Sequence, residues 1–122
     1  MTFQAQPVFT AAALPNRQIG STALPTSAPA ATDKTVAHGR SPDSSIITLE
    51  VSDACILTLW VFSEASGRWI NPGSSAARYT LTFAAGDQSD FFQVYPGELF
   101  YIQSDTGSIN CYTNGLPAKP SL

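Results

Sequence analysis

The chain has 122 residues, a net charge of −3, and only 12 % charged residues against 43 % hydrophobic ones. A chain of this length holds one domain with a modest core, which excludes multidomain enzyme architectures. Its six basic residues stand singly at Arg17, Lys34, Arg40, Arg68, Arg78 and Lys119 and make no phosphate-binding stripe, so nucleic acid is not an expected partner.

The first segment, MTFQAQPVFTAAALPN, has no basic start, and Gln4, Gln6 and Pro7 interrupt its apolar residues, so a signal peptide is not expected. No run approaches the length of a membrane span. Residues 1–43 carry Pro7, Pro15, Pro25, Pro29 and Pro42 but only Phe3 and Phe9 as aromatics, and show neither the strand nor the helix period. They read as an extended arm that does not fold by itself. Ala-Leu-Pro occurs at 13–15 and again at 23–25, offering two similar anchors. Ordering costs about 1–2 kcal/mol per residue, so such an arm is expected to be held by neighbouring subunits through Phe3, Phe9, Leu14 and Leu24. Removing residues 1–43 should then leave a folded body.

Strand signals begin near Ser44. SIITLEV sets Ile47, Leu49 and Val51 on one face and Thr48 and Glu50 on the other. ACILTLWVF is apolar on both faces and reads as a central strand covered twice. Ser66-Gly67 marks a hairpin turn before Arg68, Trp69 and Ile70, and Asn71-Pro72-Gly73 ends that pairing. RYTLTFA alternates cleanly, with Tyr79, Leu81 and Phe83 facing in. DFFQVY and ELFYIQ flank a turn at Tyr95-Pro96-Gly97-Glu98, and SINCYT is the last strand. The fold expected for 44–122 is therefore all-β: a small antiparallel β-sandwich or barrel, jelly-roll-like, of six to eight short strands behind the long arm.

The chemistry of catalysis is sparse. The one histidine, His38, falls in the arm and reads as a solvated residue without a frame for a triad. No phosphate loop, nucleophile elbow or zinc-protease motif occurs. Asp87, Asp90, Glu98 and Asp105 sit in turns, where carboxylates commonly bond their own backbone. Cys55 and Cys111 lack metal-site spacing and read as two buried free thiols, with a disulfide between them the alternative for a protein that ends up outside the cell. No enzymatic activity, metal or cofactor is expected. Trp60, Trp69, Tyr95, Tyr101 and Tyr112 would suit a sugar-binding platform if they were exposed.

An extended Pro/Ala/Thr arm followed by ILTLWVFSEASGRWI, YTLTFAAGDQSDFFQVYPGELFYIQS and SINCYTNG resembles the small decoration, or cement, proteins of tailed-bacteriophage capsids. The resemblance covers residues 46–116. It implies a virion structural protein, assembled in the host cytoplasm, that staples the major capsid protein or other virion subunits with its arm. A tail or neck component is the variant of that reading, and a carbohydrate- or receptor-binding module is the alternative. The apolar surplus of the body implies a homo-oligomer, a trimer by the resemblance, with Trp60, Phe62, Trp69, Phe91, Tyr95 and Tyr101 as interface candidates.

Overall fold

The computed structural model describes residues 17–20, 24–72, 79–84 and 88–116. Nine strands run through them: β1 Arg17–Gly20, β2 Gly39–Arg40, β3 Ile46–Val51, β4 Cys55–Ser63, β5 Arg68–Ile70, β6 Thr80–Phe83, β7 Gln88–Gln93, β8 Leu99–Ser104 and β9 Cys111–Thr113. They form two antiparallel sheets, one in the order β1-β9-β3-β7 and one in the order β2-β8-β4-β5 with β6 also on β4. The all-β sandwich expected from the alternating segments is the fold observed.

The strict alternation of β3 puts Ile47, Leu49 and Val51 between the sheets. From the second sheet Cys55, Leu57, Leu59 and Val61 of β4 and Phe100 and Ile102 of β8 meet them, with Phe92, Ile109 and Cys111 completing the layer. β4 is the longest strand, at nine residues. One side of it pairs with β8; the other is shared end to end by β6, against Cys55–Thr58, and β5, against Val61–Ser63. Asn71 fills the gap between those two strands. Its Nδ2 donates to the Leu59 carbonyl at 2.7 Å and its Oδ1 accepts from the Tyr79 amide at 3.2 Å, so the ladder stays satisfied where the chain leaves the sheet.

Two turns use glycine in the left-handed region. Gly67, at φ 68°, closes the β4–β5 hairpin by donating to the Ser63 carbonyl, and Gly97, at φ 80°, shapes the turn before β8. The second turn is anchored by buried Ser41. Its hydroxyl donates to the Tyr95 carbonyl at 2.5 Å and accepts from the Glu98 amide at 2.9 Å.

The division at residue 43 is corrected by these residues. β1 pairs with β9, β2 pairs with β8, and Leu24 lies 1 % exposed in the same core as Ile47 and Leu57. Residues 17–20 and 24–43 of the proposed arm are thus part of the body. The physical reason is that its hydrophobic residues are few but find their own sandwich within reach: Leu24 closes the core, and Val36 and Ala37 pack on the second sheet's outer face. Phe3, Phe9 and Leu14 lie outside the described residues.

Candidate interaction surfaces

The outer face of the second sheet carries Phe62, Trp69, Leu99 and Tyr101 as a second buried cluster, with Trp60 partly buried beside them. The segment from Leu24 to His38 covers it as a strap. Along the outbound path the Ser104 amide donates to the Pro25 carbonyl at 2.9 Å, and the Tyr101 hydroxyl to that of Ser27 at 2.9 Å. Trp69 then donates its amide to the Ala31 carbonyl and its indole Nε1 to that of Asp33, each at 2.8 Å. A 3-10 turn at Lys34–Val36, capped by Asp33, reverses the chain. The Asp33 carboxylate accepts from the Thr35 hydroxyl and amide, which hold it below the usual carboxylate range. Lys34 lies over the Phe62 ring at 5.0 Å and meets Glu64 at 3.3 Å, an exposed pair of small energetic weight.

His38 brings the strap back to β8, and the reading of it as solvated is corrected here. Its amide donates to the Phe100 carbonyl at 2.8 Å, its ring stacks on Tyr101 at 5.1 Å, and its Nδ1 accepts from the Ile102 amide at 2.9 Å. With β2 on Leu99 and Phe100, His38 on Ile102 and Pro25 on Ser104, the free edge of β8 is closed along its length. Four of the six interface candidates, Trp60, Phe62, Trp69 and Tyr101, therefore lie on this strapped face, with a cover supplied by the chain itself. Burial raises the Tyr101 hydroxyl above the usual tyrosine value.

Phe91 and Tyr95 are exposed, by 50 % and 78 %. Phe91 stands on the outer face of the first sheet. Register puts Tyr112, Glu50 and Ser89 in one row across β9, β3 and β7, with Thr48 and Phe91 in the next. Two shallow hollows sharing Glu50 and Ser89 run between the exposed rings of Tyr112 and Phe91. No described segment crosses this face as the strap crosses the other.

Tyr95 belongs to a different place. At the end of the sandwich where β5 and β7 both stop, a cleft of about 590 Å³ opens among Val61, Ile70, Pro72, Val94 and Tyr95, with Glu98 at its rim. Tyr79 ties the neighbouring strand ends together, since its hydroxyl donates to the Gln93 carbonyl at 2.5 Å and accepts from the Gln93 amide. Sequence reasoning missed Ile70 and Val94 as surface residues. Both were read as members of apolar strands, and only the ending of those strands beside each other leaves their side chains at a cleft.

Among the described residues the other groups singled out in the sequence are engaged in the fold, and Asp87 lies outside those residues. Asp105 accepts from the Ile56 amide at 2.8 Å, Asp90 from the Phe91 amide at 2.8 Å and Glu98 from the Tyr95 amide at 3.3 Å. Cys55 and Cys111 are buried free thiols. Burial pushes Cys111 up to about 12 and Cys55 up to about 11, the latter helped by the charges of Asp105 and Asp53. Among the described residues no helix is long and apolar enough to cross a membrane.

Comparison with protein-family models, with curated proteins and with solved structures finds no match.

Proposed function

We propose that this protein is a non-catalytic assembly module, a virion structural protein of the capsid-decoration kind, which attaches to the shell by surface contacts. The observation that carries the reading is the contrast between the two sides of the sandwich. One outer face is closed by the strap of the chain's own residues 24–38. The other, with the adjoining end, leaves Phe91, Tyr112, Ile70 and Tyr95 open on a body with few charges. The engagement of the reactive groups among the described residues agrees with it. The two thiols are buried and held protonated, His38 spends its Nδ1 on a backbone amide, and the turn carboxylates serve nearby amides. Stapling, in this reading, falls to residues 1–16, with Phe3, Phe9 and Leu14 as anchors.

The test is cosedimentation of the purified full chain with empty heads assembled from a tailed-phage major capsid protein. Saturable binding at a fixed ratio to shell subunits, lost when Phe91 and Tyr112 are both changed to Ser, is the expected result. Protein that stays in the supernatant at all concentrations overturns the reading.

The row of Tyr112, Glu50 and Ser89 beside Phe91 favours carbohydrate binding as the second reading. Two exposed rings flank hydroxyl and carboxylate acceptors on one sheet face, the chemistry that stacks on a sugar ring and bonds its hydroxyls. A glycan array probed with the labelled protein separates the two, since a decoration module gives no glycan signal.

A further inference from the structure

From the places of the two cysteines in the sandwich we infer that Cys55 and Cys111 form an internal disulfide, joining the two sheets, when the chain folds in an oxidising compartment. Such a bond belongs to the body alone and stands apart from the assembly-module reading.

The two side chains enter the core from opposite sides at one place. Cys55 is the first residue of β4 and Cys111 the first of β9, so each sheet supplies one. Cys55 shares the inward face of β4 with Leu57 and Leu59, and Cys111 that of β9 with Thr113. Both belong to the main core, 5 % and 0 % exposed. Register sets Cys111 opposite Val51, the last residue of β3, and only residues 52–54 separate Val51 from Cys55. That link is fastened twice to the residue before Cys111. The Ser52 amide donates to the Asn110 carbonyl at 3.1 Å, and the Ser52 hydroxyl accepts from the Asn110 amide at 3.1 Å. A charge on Cys55 adds to the rise of the Cys111 thiol, an influence that passes between near neighbours.

This placement meets the demands of the bond. A disulfide joins Cα atoms about 4.4–6.8 Å apart. Opposed residues of an antiparallel pair stand about 4.5–5.5 Å apart, which sets Cys111 that close to Val51, and the short link carries the chain from there across to Cys55. Facing sheets are about 10 Å apart at their centres, and sandwiches of the antibody kind bridge them with one inter-sheet disulfide. Here both cysteines stand at strand ends, beside connections rather than mid-ladder, where a small backbone shift brings the sulfurs together.

The bond forms in two exchanges, with glutathione disulfide as the oxidant. The Cys55 thiolate attacks one sulfur of glutathione disulfide, giving a mixed disulfide and releasing one glutathione thiolate. The Cys111 thiolate then attacks the Cys55 Sγ and releases the second. Two protein thiols are oxidised, one glutathione disulfide is reduced, and the two protons pass to the glutathione thiolates. Cys55 is the entry sulfur because it is the less buried and the more readily ionised of the two. Folding covers both thiols and keeps them protonated, so the exchange belongs to the unfolded chain, and a reducing cytosol leaves the free pair seen in the structure. The loop so closed runs from β4 to β9, and the restraint it puts on the unfolded chain grows with its length.

The experiment uses the full chain, unfolded under reductant and refolded in a mixture of oxidised and reduced glutathione. The intact mass should fall by that of two hydrogen atoms, the denatured product should show no free thiol, and a non-reducing digest should link the Cys55 peptide to the Cys111 peptide. Compared with the same chain refolded under reductant, the melting temperature should rise by on the order of 10 °C. The folded chain in the same mixture should oxidise at least about tenfold more slowly than the unfolded one. Cys55→Ala and Cys111→Ala chains, each compared only with itself under the two conditions, should show no rise. Three results overturn the inference: two thiols still free after refolding, sulfurs linked only to glutathione or to another chain, or an internal bond that leaves the melting temperature unchanged or lower. Binding to empty heads is measured separately, and none of these results decides it.

Discussion

Leu24→Ala tests whether the proline-rich segment belongs to the body. Leu24 is 1 % exposed in the main core, and the next residue is pinned by the bond from the Ser104 amide to the Pro25 carbonyl, so the backbone cannot readily collapse into the space a truncation leaves. Buried Leu→Ala changes cost about 2–5 kcal/mol, the larger values where the cavity persists, and the pinned backbone places this one in the upper half. Against a total stability of about 5–15 kcal/mol that is a large fraction. With a urea slope of about 1–3 kcal/mol per molar, the midpoint followed by Trp60 and Trp69 fluorescence should fall by 1 M or more, on the order of the cavity cost divided by that slope. Leu116→Ala, at a residue 51 % exposed, is the control and should shift the midpoint little. A Leu24→Ala midpoint no lower than that of Leu116→Ala would refute the reasoning and return Leu24 to a free arm. By the same logic, removal of residues 1–43 should unfold the body, whereas removal of 1–16 should not.

Gly115→Ala should destabilise by about 1–3 kcal/mol, because a Cβ there meets the Phe100 ring at 2.5 Å and that ring is fully buried; an unchanged melting temperature would show the ring moves freely. Above about pH 9 stability should fall as pH rises through 11 to 12, by up to about 1.4 kcal/mol per pH unit for each thiol, since Cys55 and Cys111 ionise from about 9 when unfolded but only near 11 and 12 when folded. Replacing both cysteines with alanine should remove the thiols' share of that slope, leaving the part due to Tyr101, as denaturant titrations at pH 8 and pH 10.5 measure. His38→Phe should cost about 1–3 kcal/mol by leaving the Ile102 amide unpaired, while His38→Asn, whose Oδ1 can stand where Nδ1 stood, should recover much of it in the same assay.

What the sequence made legible was what side-chain period controls. Ile47, Leu49 and Val51 alternate because one face of β3 is core and the other is open, and the structure buries those three. The double-sided apolar character of Cys55–Phe62 holds at the Trp60–Phe62 end, where the outer face is covered, whereas at the other end Ile56 is 41 % exposed. β1 and β2 could not be read the same way. They are four and two residues long, and what makes them strands is the exposed edge of β9 and of β8 that each meets. Their residues carry no period because the pairing is decided by the partner. The cleft was equally hidden. Val61, Ile70 and Val94 look like ordinary strand residues, and their meeting depends on where β5 and β7 stop.

The strap was illegible for a more general reason. Five backbone carbonyls, of Pro25, Thr26, Ser27, Ala31 and Asp33, accept hydrogen bonds from the second sheet, and every amino acid brings a carbonyl. Proline is no handicap there, since it lacks only the donor, and its fixed φ lowers the entropy lost when the segment is laid down. The partners do leave a signature, because a buried Trp or Tyr must find an acceptor for its polar atom. Trp69 and Tyr101, each on a strand with no polar neighbour in register to serve it, therefore signal that a length of chain rich in free carbonyls crosses that face. A Pro/Ala/Thr/Ser segment beside a sandwich with such aromatics on its outer face is thereby a candidate cover for its own body before it is a candidate arm for a neighbour.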